Sequence, residues 1–520
     1  MADNKLYYGD NLDILRRYVE KESVDLVYLD PPFNSNQDYN VLFKERNGSR
    51  SGAQIKAFKD TWIWDEESSR AYHDMVEHGP PDVSNALQAF QKFLGHNDML
   101  AYLSMMAPRL VELRRVLRDT GSIYLHCDPT ASHYLKMLMD AVFGPANFRN
   151  EISWKRTPFA GSSKARARQY PRSHDVILYY SKGEEWTWNQ PELPYTDEYL
   201  ARFKWQDERG YYRKTLLKTY SQATLERLRS EGRLIEPVTA GAKYNYKQYL
   251  EESSGTRQVD DFWADINMIN PVAAERMGYP TQKPEALLER ILELASNEGD
   301  LVLDPFCGCG TTVAVAQHLD RRWIGIDVTC LAINLMRRRL ESAFGGKAEF
   351  DVIGEPTAYS EARQLAAENP YQFQWWARDL VGARPVIEKR GADKGVDGRL
   401  LFHDDESGKT KQVILSVKAG HLAAAHVRDL RGVIEREGAE IGCLISLEEP
   451  TQPMRAEAAD ASFYQPPLGA RTYPRLQLLT VKELLEGKKL QLPEGRVDVT
   501  FKKAARAKAK QRALGDADTP

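Results

Sequence analysis

Five cysteines in 520 residues, none at zinc-type spacing, leave neither a disulfide framework nor a cysteine metal centre to build a fold on. Cys307 and Cys309 are separated by one residue rather than two and fit a tight loop better than a metal. No uninterrupted apolar run is long enough to span a bilayer, and Met1 to Lys5 holds no apolar signal core. A protein without a membrane partner, working in the cytoplasm, is expected. The chain also lacks a surplus of either charge, with 71 basic and 74 acidic residues. Any nucleic-acid surface must therefore be a local patch. There is no internal repeat, and the length suggests about three domains with ample core.

What the chain does contain is organised around Val24 to Phe33. Val24 to Leu29 is apolar and partly β-branched, as in a strand buried on both faces of a parallel sheet. It stops at Asp30-Pro31-Pro32-Phe33, because two prolines supply no N–H to a ladder. Ligands of open α/β sheets bind just past strand ends. An exocyclic base amine is a poor nucleophile, since its lone pair is delocalised into the ring. Asp30 can accept one of its hydrogens, and the Pro31 carbonyl the other, since Pro32 has no N–H. Phe33 can stack on a base taken out of the helix. A proline turn closing a strand would use the same residues, so a second feature has to decide.

That feature is Asp304-Pro305-Phe306-Cys307-Gly308-Cys309-Gly310-Thr311-Thr312, after the apolar Leu301 to Leu303 and before a helix start at Val313 to Ala316. Strand, glycine turn and helix form the nucleotide-cofactor pattern. Trp323 to Asp327 reads as the next strand, ending in an acid able to hold ribose hydroxyls. Val313 occupies the place of a third glycine, so the glycine pair by itself also suits a packing turn.

Together these residues resemble the S-adenosylmethionine-dependent amino-methyltransferases of DNA, in the motif order of their β group and similar to type III modification enzymes. Asp30-Pro31-Pro32-Phe33 resembles their catalytic motif, whose Asp-first form is more typical of adenine-N6 than of cytosine-N4 enzymes. Asp304 to Gly310, with Thr311, resembles the cofactor loop, and Tyr8-Gly9-Asp10-Asn11 the segment whose acid binds the cofactor adenine. Gly121 to Asp128 and His174 to Tyr180 resemble strands around the base pocket, and Thr281-Gln282-Lys283-Pro284 the segment over the cofactor. The match runs from about Lys5 to Phe344. No cysteine follows a proline, against a cytosine-C5 mechanism.

The resemblance implies an α/β fold: a Rossmann-like methyltransferase with a mostly parallel sheet in permuted motif order and an inserted target-recognition region. It implies methyl transfer to adenine N6 of double-stranded DNA, with cytosine-N4 as the alternative. A homodimer and a restriction subunit are partners it allows. Asp30, Pro31, Pro32 and Phe33 would be catalytic. Asp10, Lys283, Asp304, Pro305, Phe306, Gly308, Gly310, Thr311 and Asp327 would bind the cofactor. A DNA-binding module without catalysis, or a methyltransferase acting on RNA or protein, are the rivals.

Five regions are expected. Residues 1–150 form the catalytic half, 151–270 the DNA-facing strands and recognition region, 271–350 the cofactor half, 370–490 a smaller α/β unit, and 500–520 a basic tail. Leu42 to Asn97 reads as a polar insertion, and Met99 to Leu117 as a packing helix. Lys155, Arg156, Lys164, Arg166, Arg168 and Arg172 lie among glycines, serines and prolines, as in a loop tracking phosphates. In the last unit, Asp397 precedes the strand to Phe402, and Lys418 ends the strand Val413 to Lys418. This resembles restriction-endonuclease-like domains of the Mrr type, in which acids bind a divalent metal such as Mg2+ and the lysine activates water. Ser416 departs from that pattern, where Glu or Gln is usual, and a degenerate nuclease fold that binds DNA is the alternative. Because the methyltransferase pattern is complete by Phe344, residues from about Tyr371 onward are expected to be dispensable for methyl transfer.

Overall fold

The computed structural model describes residues 3–32, 63–157, 170, 172–190, 192–237, 239, 243–252, 256–270, 273, 275–277, 279, 281–385, 396–405, 409–467, 471–494 and 496–498. Phe33, Lys164, Arg166, Arg168, the early part of the polar insertion and the basic tail lie outside the described residues.

A nine-stranded sheet forms the frame. In chain order its strands are β1 (Asn4–Tyr8), β2 (Val24–Leu29), β3 (Leu117–Cys127), β4 (Phe148–Lys155), β5 (His174–Ser181), β6 (Phe262–Trp263), β7 (Leu301–Asp304), β8 (Arg322–Asp327) and β9 (Phe350–Ile353). Their spatial order is β6-β4-β5-β3-β2-β7-β8-β1-β9. All neighbours pair in parallel except at β5, which runs antiparallel to β3 and β4. Every residue of β2 and β7 is buried, which is why neither strand alternates apolar with polar residues. The chain starts with β1, builds the β2-to-β5 half, and returns through β7 and β8 to flank β1. The two motifs, far apart in sequence, thus become neighbours, with Leu26 opposite Val302 and Val27 opposite Leu303.

Helices cover both faces. On one side α1 (Asn11–Tyr18), α2 (Glu66–His78), α3 (Pro81–Leu94), α4 (Asp98–Val116) and α5 (Ser132–Phe143) share a core with β2 and β3. On the other side α6 (Glu285–Ala295), α7 (Thr311–His318) and α8 (Cys330–Phe344) pack on β7 and β8. The described part of the polar insertion is scaffold. Tyr72, Met75, Val83, Leu87 and Phe90 are buried, and Pro81 opens α3 at the position where a missing N–H costs nothing.

Two boundaries differ from the sequence reading. The sheet continues past Phe344, because β9 adds beside β1. Glu355 to Asn369, which reads as a linker with a short helix, contains α9 (Tyr359–Glu368), and the buried Ala362 and Ala366 show that the segment is packed and not a free connector. It leads into α10 (Pro370–Asp379) and a second sheet containing β10 (Gly398–His403), β11 (Lys411–Lys418), β12 (Ile441–Ser446) and β13 (Leu476–Thr480). Strands β11, β12 and β13 are parallel, β10 is antiparallel to β11, and α11 (Ala424–Glu437) packs on them. Between β5 and β6 the chain builds a separate four-stranded antiparallel sheet that includes Gly210–Leu216 and Asn245–Tyr249.

Candidate active site

The carboxyl ends of β1, β2, β7 and β8 open into one cavity of about 320 Å³. Asp30, Pro31 and Pro32 stand on one side, and Asp304 to Thr312, with Asp327, on the other. Asp30 Oδ2 is ion-paired with Lys283 Nζ, both side chains being largely buried. Asp30 Oδ1 is buried with no hydrogen-bond partner among the described residues. A buried acceptor left unsatisfied is costly, and such groups mark places where something else docks. Lys283, expected beside the cofactor, lines the same cavity and orients the Asp30 carboxylate. Phe33 falls outside the described residues.

The glycine turn is held by hydrogen bonds that no motif reveals. Gly308 N–H donates to Asp327 Oδ2 at 2.9 Å, and Cys307 N–H to the Ile326 carbonyl at 3.0 Å. Asp327 Oδ1 accepts the Thr329 N–H at 2.9 Å and its hydroxyl at 2.8 Å. Gly308 has φ +53°, and a Cβ there would lie 3.1 Å from the Tyr279 ring. Gly310, at φ +74°, begins α7, and a Cβ would sit 2.4 Å from Met336 Cγ. These positions require glycine for backbone conformation and packing. Thr311 opens α7 and takes the Arg339 guanidinium at 3.1 Å. Burial pushes the Asp304 carboxyl up to about 7, against the pull of Thr312 and the Phe306 N–H. Burial likewise raises Asp327 to about 6, in spite of its donors. Two reluctant anions facing one cavity suit a ligand that brings positive charge.

Asp10 caps α1, accepting the Leu12 N–H at 2.9 Å, and is ion-paired with Arg109 at 2.7 Å. Arg109 also donates to Asn11 Oδ1 at 2.7 Å, and Asn11 Nδ2 donates to the Pro305 carbonyl at 2.8 Å. Arg109 thus joins α4, α1 and the glycine loop, a role the sequence reading missed. The available signal was a single arginine in the apolar run Met99 to Leu110.

A second missed feature is a row of polar side chains beneath Asp30. Tyr28 lines the cavity, and its hydroxyl lies 3.0 Å from His126 Nδ1. His126 Nε2 lies 3.2 Å from Asp175 Oδ2, and Asp175 Oδ1 lies 3.2 Å from Arg156 Nε. Full burial holds His126 below its ordinary range, with Lys283 adding to the effect. A neutral ring gives its one N–H to Asp175 and accepts from the Tyr28 hydroxyl. Burial alone would raise Asp175, but the His126 bond and the Lys283 and Arg156 charges hold it low. Three adjacent strands (β2, β3 and β5) and Arg156, just past β4, meet through this row.

Of the cations expected on phosphate, Arg156 is thus engaged with Asp175, and Arg172 reaches Thr130 Oγ1 at 2.7 Å and Asp128 at 3.8 Å. Lys155 ends β4 beside them. Lys164, Arg166 and Arg168 are outside the described residues. The inserted sheet interleaves cations with rings: Arg213 lies 5.2 Å from the Tyr199 ring, and Lys204 and Lys214 each lie 4.8 Å from that of Trp205.

Of the nuclease-like pair, Asp397 directly precedes β10 and Lys418 ends β11. Asp397 Oδ2 accepts the Val417 N–H at 2.6 Å and the Ser416 hydroxyl at 3.2 Å, so it is spent on its own sheet. Asp393, an acid four residues before Asp397 that could make up for Ser416, lies outside the described residues, and no group of three metal-binding side chains occurs among the described residues. The described residues of this unit do not by themselves form a Mg2+ site. Among the described residues no helix is long and apolar enough to cross a membrane.

Residues 24–336 match the N6/N4-type family described as DNA methylase, and residues 373–486 match the family described as NACHT-associated inactive restriction endonuclease 1. The C-terminal unit is therefore restriction-endonuclease-like. Type II methyltransferase M.EcaI of Enterobacter cloacae is 27% identical over 362 residues, covering 65% of this chain and 69% of the relative. The Mod subunit of the type III enzyme StyLTI from Salmonella typhimurium is 26% identical over 406 residues, covering 71% and 58%. DNA adenine methyltransferase YhdJ of Escherichia coli is 23% identical over 347 residues, covering 66% and 85%. With the family model spanning both Asp30 and the Asp304-to-Asp327 half, the chain belongs to the DNA methylase family.

Proposed function

We propose that the protein methylates adenine N6 in double-stranded DNA, using S-adenosylmethionine. The observation that carries this is Asp30, which lines the cavity that the glycine loop closes and whose buried Oδ1 has no partner among the described residues. Bound there, S-adenosylmethionine supplies an electrophilic methyl group, so the protein's work is positioning and electrostatic support. Asp327 would hold the ribose, Asp10 with Arg109 would border the adenine, and residues 304–311 would wrap the methionine end. Asp30 Oδ1 and the Pro31 carbonyl would accept the two hydrogens of the target amine and draw its nitrogen toward a tetrahedral form. Positive charge grows on that nitrogen as the bond forms, and the Asp30 carboxylate stabilises it. Lys283 keeps the carboxylate in one orientation. Phe33 is proposed to stack on the base, and the described cations Lys155, Arg156 and Arg172, with Lys164, Arg166 and Arg168, to follow the phosphates.

The Asp-first motif and the relation to an enzyme named as an adenine methyltransferase favour adenine. The test is to incubate the full-length protein with labelled S-adenosylmethionine and unmethylated duplex DNA, and to digest to nucleosides. Labelled N6-methyladenine is expected. Labelled N4-methylcytosine would overturn the choice of base, and no labelled nucleoside would overturn methyl transfer. The relation to a Mod subunit supports a restriction subunit as partner, which copurification from the host checks. A homodimer is part of the same reading and is tested by light scattering.

A further inference from the structure

The C-terminal unit packs on the cofactor half chiefly along α8. Helix α8 starts three residues after Asp327, and a helix start leaves N–H groups without intrahelical partners. Thr329 Oγ1 accepts the Ala332 N–H at 3.2 Å, and the Thr329 carbonyl accepts that of Ile333 at 3.2 Å. The Cys330 N–H goes elsewhere: it donates to Gln372 Oε1 on α10 at 3.1 Å. A side chain of the second unit therefore fixes the turn whose Thr329 groups hold Asp327. Further along α8, Asn334 and Arg338 both meet Asp379 at the end of α10.

A second path is aromatic. Trp375 of α10 and Leu331 of α8 are 5% and 3% exposed, and Tyr279 packs against the pair. Tyr279 lines the cavity and lies against Gly308. The contact is a true core, since Cys330 is buried together with Phe373 and Trp376 and with residues of β10 to β13. Protein interiors of this density transmit displacement instead of absorbing it.

We propose that the restriction-like unit completes the cofactor site from behind, with Gln372 and Trp375 as positioning residues for the Asp327–Thr329 turn and for Tyr279. The inference rests on the reading of the cavity as the S-adenosylmethionine site. It reverses the expectation that the chain from Tyr371 onward is dispensable. It also gives a unit with no metal cluster among its described residues a task in methyl transfer. The linkage is reciprocal, so cofactor bound on one side must stabilise α10 on the other.

The experiment uses the full-length chain with Gln372→Ala, Trp375→Ala and Gln372→Glu, titrated with S-adenosylmethionine by calorimetry and with duplex DNA separately. Both alanine variants should bind cofactor roughly tenfold more weakly, within the usual range of coupling between sites, with DNA affinity unchanged. Gln372→Glu should bind like wild type, because it keeps the acceptor at a helix N-terminus, where a carboxylate is favoured. In the wild type, saturating cofactor should slow amide hydrogen exchange across residues 370–379. Folded alanine variants with wild-type cofactor affinity would overturn the inference. If an alanine variant folds poorly, the exchange measurement decides, and an unchanged rate over 370–379 would overturn it. A wild-type chain that binds no S-adenosylmethionine would overturn the reading of the cavity and this inference with it.

Discussion

Replacing Asp30 with alanine separates catalysis from cofactor binding more sharply than any other single change. Its Oδ1 has no partner among the described residues, so methyl transfer loses an acceptor that their contacts leave unused. Removing one preorganised contact of this kind costs on the order of 10²–10³ in rate, or about 2.7–4 kcal/mol. The fold pays less. Stripping one partner from a buried ion pair costs about 3–5 kcal/mol, but Lys283 borders an open cavity, which places the loss at the low end. Deleting an unsatisfied buried oxygen returns about 1–3 kcal/mol. The net destabilisation is then ~2 kcal/mol or less, and at this chain length a melting shift of a few degrees. Single-turnover methyl transfer, calorimetry with S-adenosylmethionine and a thermal melt are the three readouts. Loss of transfer with cofactor affinity kept is expected. Near-normal turnover by the folded variant would refute the role of Asp30, and equal loss of binding and turnover would make it a cofactor residue.

Gly308→Val should abolish cofactor binding measured by calorimetry, since φ +53° and the Tyr279 ring at 3.1 Å both oppose a branched side chain. Gly310→Ala should lower the melting temperature through its clash with Met336, at a cost of about 1–3 kcal/mol. Asp304 and Asp327 have carboxyls raised to about 7 and about 6, so their contribution to stability is complete below the unfolded range near pH 4 and is lost as pH rises through 6 to 7. Cofactor-free protein should therefore melt progressively lower across that window, while affinity for the cationic cofactor rises over it. Calorimetry and melts in matched buffers check both directions. In the C-terminal unit no Mg2+-dependent cleavage of unmodified duplex is expected, and Asp397→Ala should lower stability through loss of the Val417 and Ser416 bonds while leaving methyl transfer intact. Robust cleavage abolished by Asp397→Ala or Lys418→Ala would show the opposite.

Local pattern alone determined the elements that build the two motifs. The apolar run before Asp30, the glycine turn between β7 and α7, and the acid ending β8 each follow from short-range rules of strand, turn and helix. The packing helix read over Met99 to Leu117 was legible for the same reason, and it stands at Asp98–Val116. Tertiary structure decided which side chains meet. Lys283 reaches Asp30 across 253 residues, Arg109 reaches Asp10 across 99, and His126 reaches Asp175 only because β5 lies antiparallel beside β3. Ser416 turned out to share Asp397 with a backbone N–H, so that a carboxylate with nuclease-like spacing became a structural acceptor. The segment after Phe344 read as a boundary, yet β9 extends the first sheet and α10 buries its aromatics on α8. Periodicity reports which face of an element is covered, but not by what. The partner is set by strand order and by the return of the chain, and neither leaves a trace in residues close along the sequence.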